Sequence, residues 1–285
     1  MTRITRRALA AAPLALAAGQ AFAARKPAPP PAPVSPWPDA TETAALIRRG
    51  ELTAAEAVET AIRRAEALQG TLNVIVNSDF DRALAKARAG TPAGPFGGLP
   101  FLIKDIDDYI GLRTQFGSKA GRYDPPAARQ TPFITAFDRA GVIVIGKSAT
   151  PEAAILPTTE PLATGVTRNP WDLSRSCGGS SGGTAVAVAA GIVAAGEATD
   201  GGGSIRIPAS HCGLFGLKPS RGRMVGTMDE TSITDMAARH VLTRSVRDSA
   251  AFFAATEDTG PHARLPPIGL VGGPAKRRLR IGVLL

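Results

Sequence analysis

Residues 178–209 decide how the chain is organised, and they read GGSSGGTAVAVAAGIVAAGEATDGGGSIRIPA. A cluster of serine and glycine stands at each end of an apolar run, TAVAVAAGIVAA, at residues 184–195. A run that is apolar on every side is typical of a helix buried in the centre of a domain. Glycines lack a Cβ and allow the main chain to approach its neighbours closely. We therefore interpret the two clusters as loops packed around a buried helix, in preference to flexible linkers.

The sequence on either side of this stretch alternates between helical and strand-like segments. Asp39–Glu42 and Thr53–Glu56 have the capping-box form, in which the first side chain accepts a hydrogen bond from the main chain of a new helix. They predict helices over 40–49 and 54–69, closed by Gly50 and Gly70. Further predicted elements are strands at 72–76, 99–104 and 142–146, a helix over 132–140 and a helix beginning at Thr150. The alternation favours an α/β protein with a mixed or parallel sheet.

The first 23 residues have the form of an export signal. A basic segment at 1–7 precedes an apolar run at 8–18, and residues 21–23 supply a small-x-small cleavage pattern. The apolar run is too short to span a bilayer as a helix, which takes about 20 residues. Thr5–Leu9 resembles a twin-arginine signal, and an ordinary secretory signal is the alternative. Both predict export to the periplasm and a mature chain that begins near Ala24.

A proline-rich spacer is predicted at residues 24–38, where RKPAPPPAPVSPWP contains seven prolines. Proline fixes φ and lacks an N–H group, so this segment favours an extended connector rather than a packed element. The remaining residues, 39–285, are predicted to form a single folded domain.

Charge and composition exclude several classes of protein. The net charge is +9, but five basic residues lie before residue 27 and four lie after residue 275, with no acid among them. The folded body is therefore neutral, and a nucleic-acid-binding face, which needs clustered charge, is not expected. Two cysteines and three histidines without metal-ligand spacing argue against a disulfide scaffold and a metal site. No further segment is long and apolar enough to predict stable membrane insertion.

Two short motif matches are interpreted as accidental. Residues 141–148, GVIVIGKS, fit the phosphate-loop pattern, but their β-branched centre predicts a strand whose N–H groups are used in a sheet. Residues 178–182 fit the G-x-S-x-G elbow of serine hydrolases, but no strand is predicted before the serine. A Ser-His-Asp esterase would draw its histidine from His211, His240 or His262. We expect His211 to lie in the core or just behind the site residues, and the other two to lie on the surface.

The long stretch at 178–209 resembles the defining segment of the amidase signature family, including both serine clusters and the Ser-Ile-Arg-x-Pro ending. The likeness continues through CGLFGLKP at 212–219, and GGLPFLIKDIDD at 97–108 is similar to the family's lysine segment. The resemblance implies a mixed β-sheet covered by helices on both faces. It also implies that residues 39–285 are the N-terminal part of a longer fold, because family members are longer and 280–285 look like the start of a buried strand.

The resemblance implies a Ser-Ser-Lys triad. Ser204 corresponds to the nucleophile, Ser180 to the bridging serine that follows a cis peptide bond, and Lys104 to the base. The N–H groups of Gly201, Gly202 and Gly203 are then candidates for the oxyanion hole, since successive glycine N–H groups can converge on one point.

The chemistry of these residue types agrees with those roles. A serine hydroxyl needs an adjacent base, and lysine acts as a base only when it is neutral. Burial without a close carboxylate lowers the pKa of a lysine, and Lys104 follows four apolar residues. Asp105 and Asp107 oppose this effect unless their side chains point away, as adjacent positions of a strand do.

Three residues are predicted to support the site. Ser181 either supports Lys104 and its loop by hydrogen bonding or caps the following helix. Asp200 and Arg206 are placed to pair across the nucleophile loop and hold it. Cys177 and Cys212 are expected to be free and buried, although their spacing in sequence does not exclude a disulfide.

The function implied is hydrolysis of a small or peptide carboxamide to a carboxylic acid and ammonia or an amine, through an acyl-enzyme and without a metal or organic cofactor. Family members that supply ammonia to a charged tRNA are disfavoured by the export signal. A truncated or non-catalytic homologue and the Ser-His-Asp esterase are the alternatives. For the 285-residue chain itself we expect weak activity or none.

Overall fold

The computed structural model describes residues 37–226 and 237–274, without the side chains of residues 122 and 123. The predicted export signal and the C-terminal strand at 280–285 lie outside the described residues. The helices are α1 (Ala40–Arg48), α2 (Ala54–Leu72), α3 (Phe80–Arg88), α4 (Pro132–Ala140), α5 (Gly182–Ala189), α6 (Arg206–Cys212) and α7 (Val246–Thr256). The strands are β1 (Ile75–Ser78), β2 (Pro100–Lys104), β3 (Ile143–Ser148), β4 (Ala195–Asp200), β5 (Phe215–Gly216) and β6 (Ala238–Thr243).

The described strands form two three-stranded sheets. The first has the order β1-β3-β2, with β1 antiparallel and β2 parallel to β3. The second has the order β4-β6-β5 and is antiparallel throughout. Parallel and antiparallel pairing therefore coexist, which confirms the mixed α/β prediction. Strand β2 lies beside β4, where the two sheets meet.

Helices cover both faces of these strands, as predicted. Successive side chains of a strand point to opposite faces, and the core separates accordingly. Leu102 of β2 packs in a cluster with residues of α2, α3, α5 and α6. Its neighbours Phe101 and Ile103 pack on the other side with α1, α4 and α7. None of the described helices is long and apolar enough to cross a membrane.

The predicted start of α2 is confirmed, but its predicted end is wrong. Thr53 and Glu56 form the capping box, with the Glu56 N–H donating to Thr53 Oγ1 at 3.1 Å. The helix continues through Gly70 to Leu72 and ends at Asn73, which has φ of 53°. A glycine inside a helix costs only about 1 kcal/mol, which burial of Leu72 offsets. Strand β1 consequently begins at Ile75 instead of residue 72.

The apolar run at 184–195 contains more than the single helix that we predicted. Helix α5 ends at Ala189, Gly191 turns the chain with φ of +72°, and Ala195 begins β4. A Cβ on Gly191 would overlap the ring of Trp37, so the turn depends on glycine there. Trp37 is the penultimate residue of the predicted spacer, whose end therefore packs against the domain.

Two other local predictions have definite outcomes. The helix predicted from Thr150 is only a 3₁₀ turn at Glu152–Ala154. The phosphate-loop match is accidental, because residues 143–148 form β3, which pairs with a strand on each side. Its N–H groups face the two neighbouring strands of the first sheet and do not form a phosphate-binding loop.

Hydrogen bonds to a buried carboxylate connect α1 with α7. Asp248 is fully buried and accepts hydrogen bonds from the N–H groups of Ala40 and Thr41, both at 2.8 Å, and from the Thr41 hydroxyl at 2.6 Å. These N–H groups belong to the first turn of α1, where no partner exists within the helix.

Replacing Asp248 with alanine should lower the free energy of unfolding by about 2–4 kcal/mol, because three donors lose a buried charged acceptor. Urea unfolding curves measure the change. The matched control is Asp81→Asn on the exposed side of α3, which should cost less than about 0.5 kcal/mol. Equal effects of the two substitutions would show that the Asp248 contact does not stabilise the fold.

Candidate active site

Lys104 and Ser180 meet in the interior, at the boundary between the two sheets. Lys104 is the last residue of β2 and is fully buried. Its Nζ lies 2.7 Å from Ser180 Oγ and 2.8 Å from Thr199 Oγ1. Thr199 belongs to β4, so the lysine bridges β4 and the loop that precedes α5.

The surroundings of Lys104 favour its neutral form. None of the ion pairs among the described residues includes Lys104. Burial lowers the pKa of Lys104 below its usual range, and the carboxyl groups of Glu197 and Asp107 offset this only in part.

The two aspartates after Lys104 interact with other cations. Asp105 Oδ1 lies 3.7 Å from the buried Nζ of Lys147, and Asp107 bonds to Arg239. Strand alternation is not the reason that they avoid Lys104, because β2 ends at Lys104 and both follow in a turn. Burial raises the pKa of Asp105 to about 6.

Ser180 is held by a tightly packed loop. The peptide bond between Gly179 and Ser180 is cis, as the resemblance implied. Thr150 Oγ1 donates to the Ser180 carbonyl at 3.0 Å. A Cβ on Gly183 would overlap the main chain of Ala149, so this glycine is required for close packing. The first serine-glycine cluster is therefore a packed loop and not a linker.

The second cluster is organised by Asp200. Its side chain is buried and accepts from the Gly203 N–H at 2.8 Å and the Ile205 N–H at 3.3 Å. The Arg206 guanidinium adds two hydrogen bonds of 2.8 Å each. Burial alone would raise the pKa of Asp200, but these donors hold it below the usual value. The predicted pairing of Asp200 with Arg206 across the loop is confirmed.

Ser204 is half-buried within this loop, two residues before the start of α6. Its carbonyl accepts from the Ser181 N–H at 3.2 Å, which joins the two serine loops through their main chains. The hydrogen bonds of the described residues include none between the Ser204 and Ser180 hydroxyls. The fold thus places the second loop against the first. The serine hydroxyl that contacts the lysine amine is that of Ser180.

The three glycines before Ser204 differ in what their N–H groups do. That of Gly203 is used by Asp200 at 2.8 Å. Gly201 and Gly202 are exposed, and no group in the described part of the chain accepts from their N–H. Of the predicted oxyanion-hole donors, these two can donate to a bound ligand without losing an existing hydrogen bond.

Ser181 supports the loop and does not cap α5. Its hydroxyl donates to the Thr199 carbonyl at 3.3 Å and accepts from the Thr199 N–H at 3.4 Å. It makes no side-chain hydrogen bond to the first turn of α5. Of the two hypotheses for Ser181, the structure favours hydrogen bonding that holds the site together.

The histidines are placed differently from the prediction. His211 is exposed, whereas His240 is fully buried with Nε2 at 2.8 Å from Ser249 Oγ. Burial lowers the pKa of His240 to about 3. Among the described residues no histidine bonds to Ser180 or Ser204, which leaves the Ser-His-Asp alternative without its base. His262 is exposed, as expected.

The cysteines agree with the sequence expectation, and the described residues show no metal-binding cluster. Cys177 and Cys212 are free and buried, and burial raises the pKa of both thiols. No group of three or more histidine, cysteine or acidic side chains is placed to hold a metal ion in the described part of the chain.

The Amidase family model matches residues 56–284. The chain belongs to the amidase family. The 6-aminohexanoate-cyclic-dimer hydrolase of Paenarthrobacter ureafaciens is 37% identical to this chain over 267 residues. The aligned region covers 87% of this chain and 52% of the hydrolase.

Solved structures of the family share its fold. A 6-aminohexanoate cyclic dimer hydrolase matches with a TM-score of 0.75 and 36% identity over 85% of this chain and 50% of that chain. A bacterial aryl acylamidase of the amidase signature family matches with a TM-score of 0.75 and 30% identity. The match covers 83% of this chain and 51% of the acylamidase chain. The chain spans about half the length of these relatives.

Two residues at this amidase-type site were missed in the sequence. Thr199 accepts from Lys104 Nζ, and Glu197 Oε2 accepts from the Lys104 N–H at 2.9 Å. They stand two apart on β4, so both side chains point to one face of the strand. Two polar residues on one face of a buried strand are the signal that could have identified them.

Removal of the Asp200 carboxylate should disorganise the loop that contains Ser204. Asp200→Ala is expected to lower the free energy of unfolding by about 2–4 kcal/mol, because buried N–H groups lose their acceptor. Arg206→Ala should cost less, since the arginine side chain is 54% exposed. Thermal unfolding of both variants tests this order, and a larger loss for Arg206→Ala would contradict it.

Proposed function

We propose that this chain carries the nucleophile, bridging serine and base of an amidase that hydrolyses a carboxamide to a carboxylic acid and ammonia or an amine. The observation that carries the proposal is the contact of a buried lysine amine with a serine hydroxyl at 2.7 Å, where no ion pair of the described residues includes the lysine. A neutral amine in that position can accept a proton, which an exposed or salt-bridged lysine does not do at neutral pH.

In the proposed reaction the Ser204 hydroxyl attacks the carbonyl carbon of the amide. Its proton passes to Ser180, whose own proton passes to Lys104. The protonated lysine then returns a proton through Ser180 to the leaving nitrogen, and ammonia or an amine departs. Water repeats the sequence on the acyl-enzyme, so that the acid is released and Ser204 is restored.

The developing oxyanion is proposed to bind at the N–H groups of Gly201 and Gly202. Both are exposed and lie directly before Gly203 and Ser204 in the loop that Asp200 holds. A fixed loop with unused donors favours the tetrahedral state, because the donors need not reorganise as charge develops. Gly203 would contribute only if its N–H group left Asp200.

The proposed substrate is a small-molecule or peptide amide. Support comes from the relatives, whose names specify a cyclic dimer of 6-aminohexanoate and aryl acylamides. We also propose that the protein is exported to the periplasm, on the basis of the signal-like residues 1–23.

The nucleophile assignment predicts where an acylating or phosphonylating probe attaches. Incubation with a fluorophosphonate should add one adduct to the protein, located on Ser204 by peptide mass spectrometry. Ser204→Ala should abolish both the adduct and ammonia release from amides, and Lys104→Ala should slow both by at least about 10³-fold. Ser210→Ala, an exposed serine on α6, is the control and should behave as the unmodified protein. Unchanged labelling of Ser204→Ala would refute the assignment.

The role of Lys104 predicts a characteristic pH dependence. The neutral amine is the base, so the rate should rise with pH as Lys104 loses its proton. Because burial lowers the pKa of Lys104, this rise should occur below the range of ordinary lysines, near 10.4. The rate of fluorophosphonate labelling across a pH series measures it. A rate that falls as pH increases through this range would exclude Lys104 as the base.

A further inference from the structure

Glu197 is a buried acid that contacts the base but forms no ion pair. It lies within β4 and is fully buried. Its Oε2 accepts the main-chain N–H of Lys104 at 2.9 Å, while its Oε1 is buried without a hydrogen-bond partner among the described residues. No ion pair in the described part of the chain includes Glu197.

These contacts fit a protonated carboxyl group better than a carboxylate. An ionised carboxylate away from water needs donors at both oxygens or a close cation, and its burial is otherwise costly. Glu197 has one main-chain donor. A proton on the carboxyl group removes the charge, and the remaining oxygen still accepts from Lys104. Burial, with a contribution from Asp107, raises the pKa of Glu197 to about 8, although Arg239 and Lys104 lower it in part. This net direction agrees with the contacts.

We propose that Glu197 is a positioning residue that stays protonated in the resting site, holds the main chain of Lys104 as a neutral acceptor and thereby leaves the Lys104 amine uncharged. This inference rests on the proposed role of Lys104 as the base. A carboxylate at this position would favour the ammonium form of Lys104 and withdraw it from the reaction.

The protons and charges of this arrangement balance. Transfer of one proton from a Lys104 ammonium to a Glu197 carboxylate gives an amine and a carboxylic acid, with no change in net charge. Of the charged groups nearby, Asp107 and Arg239 bond to each other. The transfer therefore leaves neither member of the pair charged.

Several other charged groups face this pair from the packed elements. Lys147 of β3 interacts electrostatically with Glu197, but its amine is bonded to the Asp107 carbonyl and Thr114 Oγ1. Asp200, at the end of β4, is directed to Arg206 and the nucleophile loop. The groups that face the pair are Asp105, Asp107, Lys147, Asp200 and Arg239.

Infrared spectroscopy tests the protonation of Glu197 without any turnover. The unmodified protein at pH 7 should show the carbonyl band of a buried protonated carboxyl group, and Glu197→Gln should lose it. The matched control, Glu66→Gln on the exposed face of α2, should retain it. Absence of the band from the unmodified protein would overturn the proposal, whether or not the variant folds.

The titration of Lys104 provides the second test. In protein labelled with ¹³C-lysine, the pKa of Lys104 measured by NMR should move by less than about 0.3 in Glu197→Gln, because a neutral group replaces a neutral group. A downward shift of about 1 or more would show that Glu197 is a carboxylate and overturn the proposal.

Comparison of two substitutions separates positioning from general structural damage. Glu197→Ala removes the acceptor of the Lys104 N–H and should slow fluorophosphonate labelling at least about tenfold, while Glu197→Gln should restore most of that loss. If labelling is absent even from the unmodified protein, the proposed function fails. The infrared and NMR results still decide the state of Glu197 in that case.

Discussion

The hydrogen bond between Lys104 Nζ and Ser180 Oγ is the contact on which the rest of the site depends. It places an amine in the buried interior, outside any ion pair of the described residues. Such an amine is tolerated because it has lost its proton or because its donors meet neutral oxygens. Here the oxygens are those of Ser180 and Thr199, which belong to two different elements. Lys104 of β2 therefore connects the loop that contains Ser180 with strand β4.

A second buried lysine shows how much the partners matter. Lys147 lies in β3, parallel to β2, and is buried like Lys104. It has Asp105 at 3.7 Å, and its amine donates to a carbonyl and a hydroxyl. A lysine with an adjacent carboxylate is suited to holding a turn in place, whereas one without is suited to accepting a proton. Burial lowers the pKa of both lysines, and they differ in that only Lys147 has a carboxylate partner among the described residues.

The loop that contains Ser204 is held by contacts that do not involve the lysine. The Asp200 carboxylate accepts hydrogen bonds from the Gly203 and Ile205 N–H groups and from the Arg206 side chain. Ser181 fixes the main chain of Thr199 one residue earlier and bonds to the Ser204 carbonyl through its own N–H. The loop is consequently held at both ends, while Gly201 and Gly202 between them are exposed and their N–H groups have no acceptor among the described residues. A rigid loop with unused donors is the arrangement that stabilises a developing negative charge.

The sequence by itself determined the family, the α/β class, the helix starts at Asp39 and Thr53, and the pairing of Asp200 with Arg206, because these depend on local patterns. The end of α2 and the division of residues 184–195 into a helix, a turn and a strand were decided by tertiary packing, which overrides the preferences of single glycines. The roles of Glu197 and Thr199, the burial of His240 and the exposure of His211 also required the structure. Each depends on contacts between residues that are far apart in the chain, and a pattern within one segment carries no information about the group that faces it.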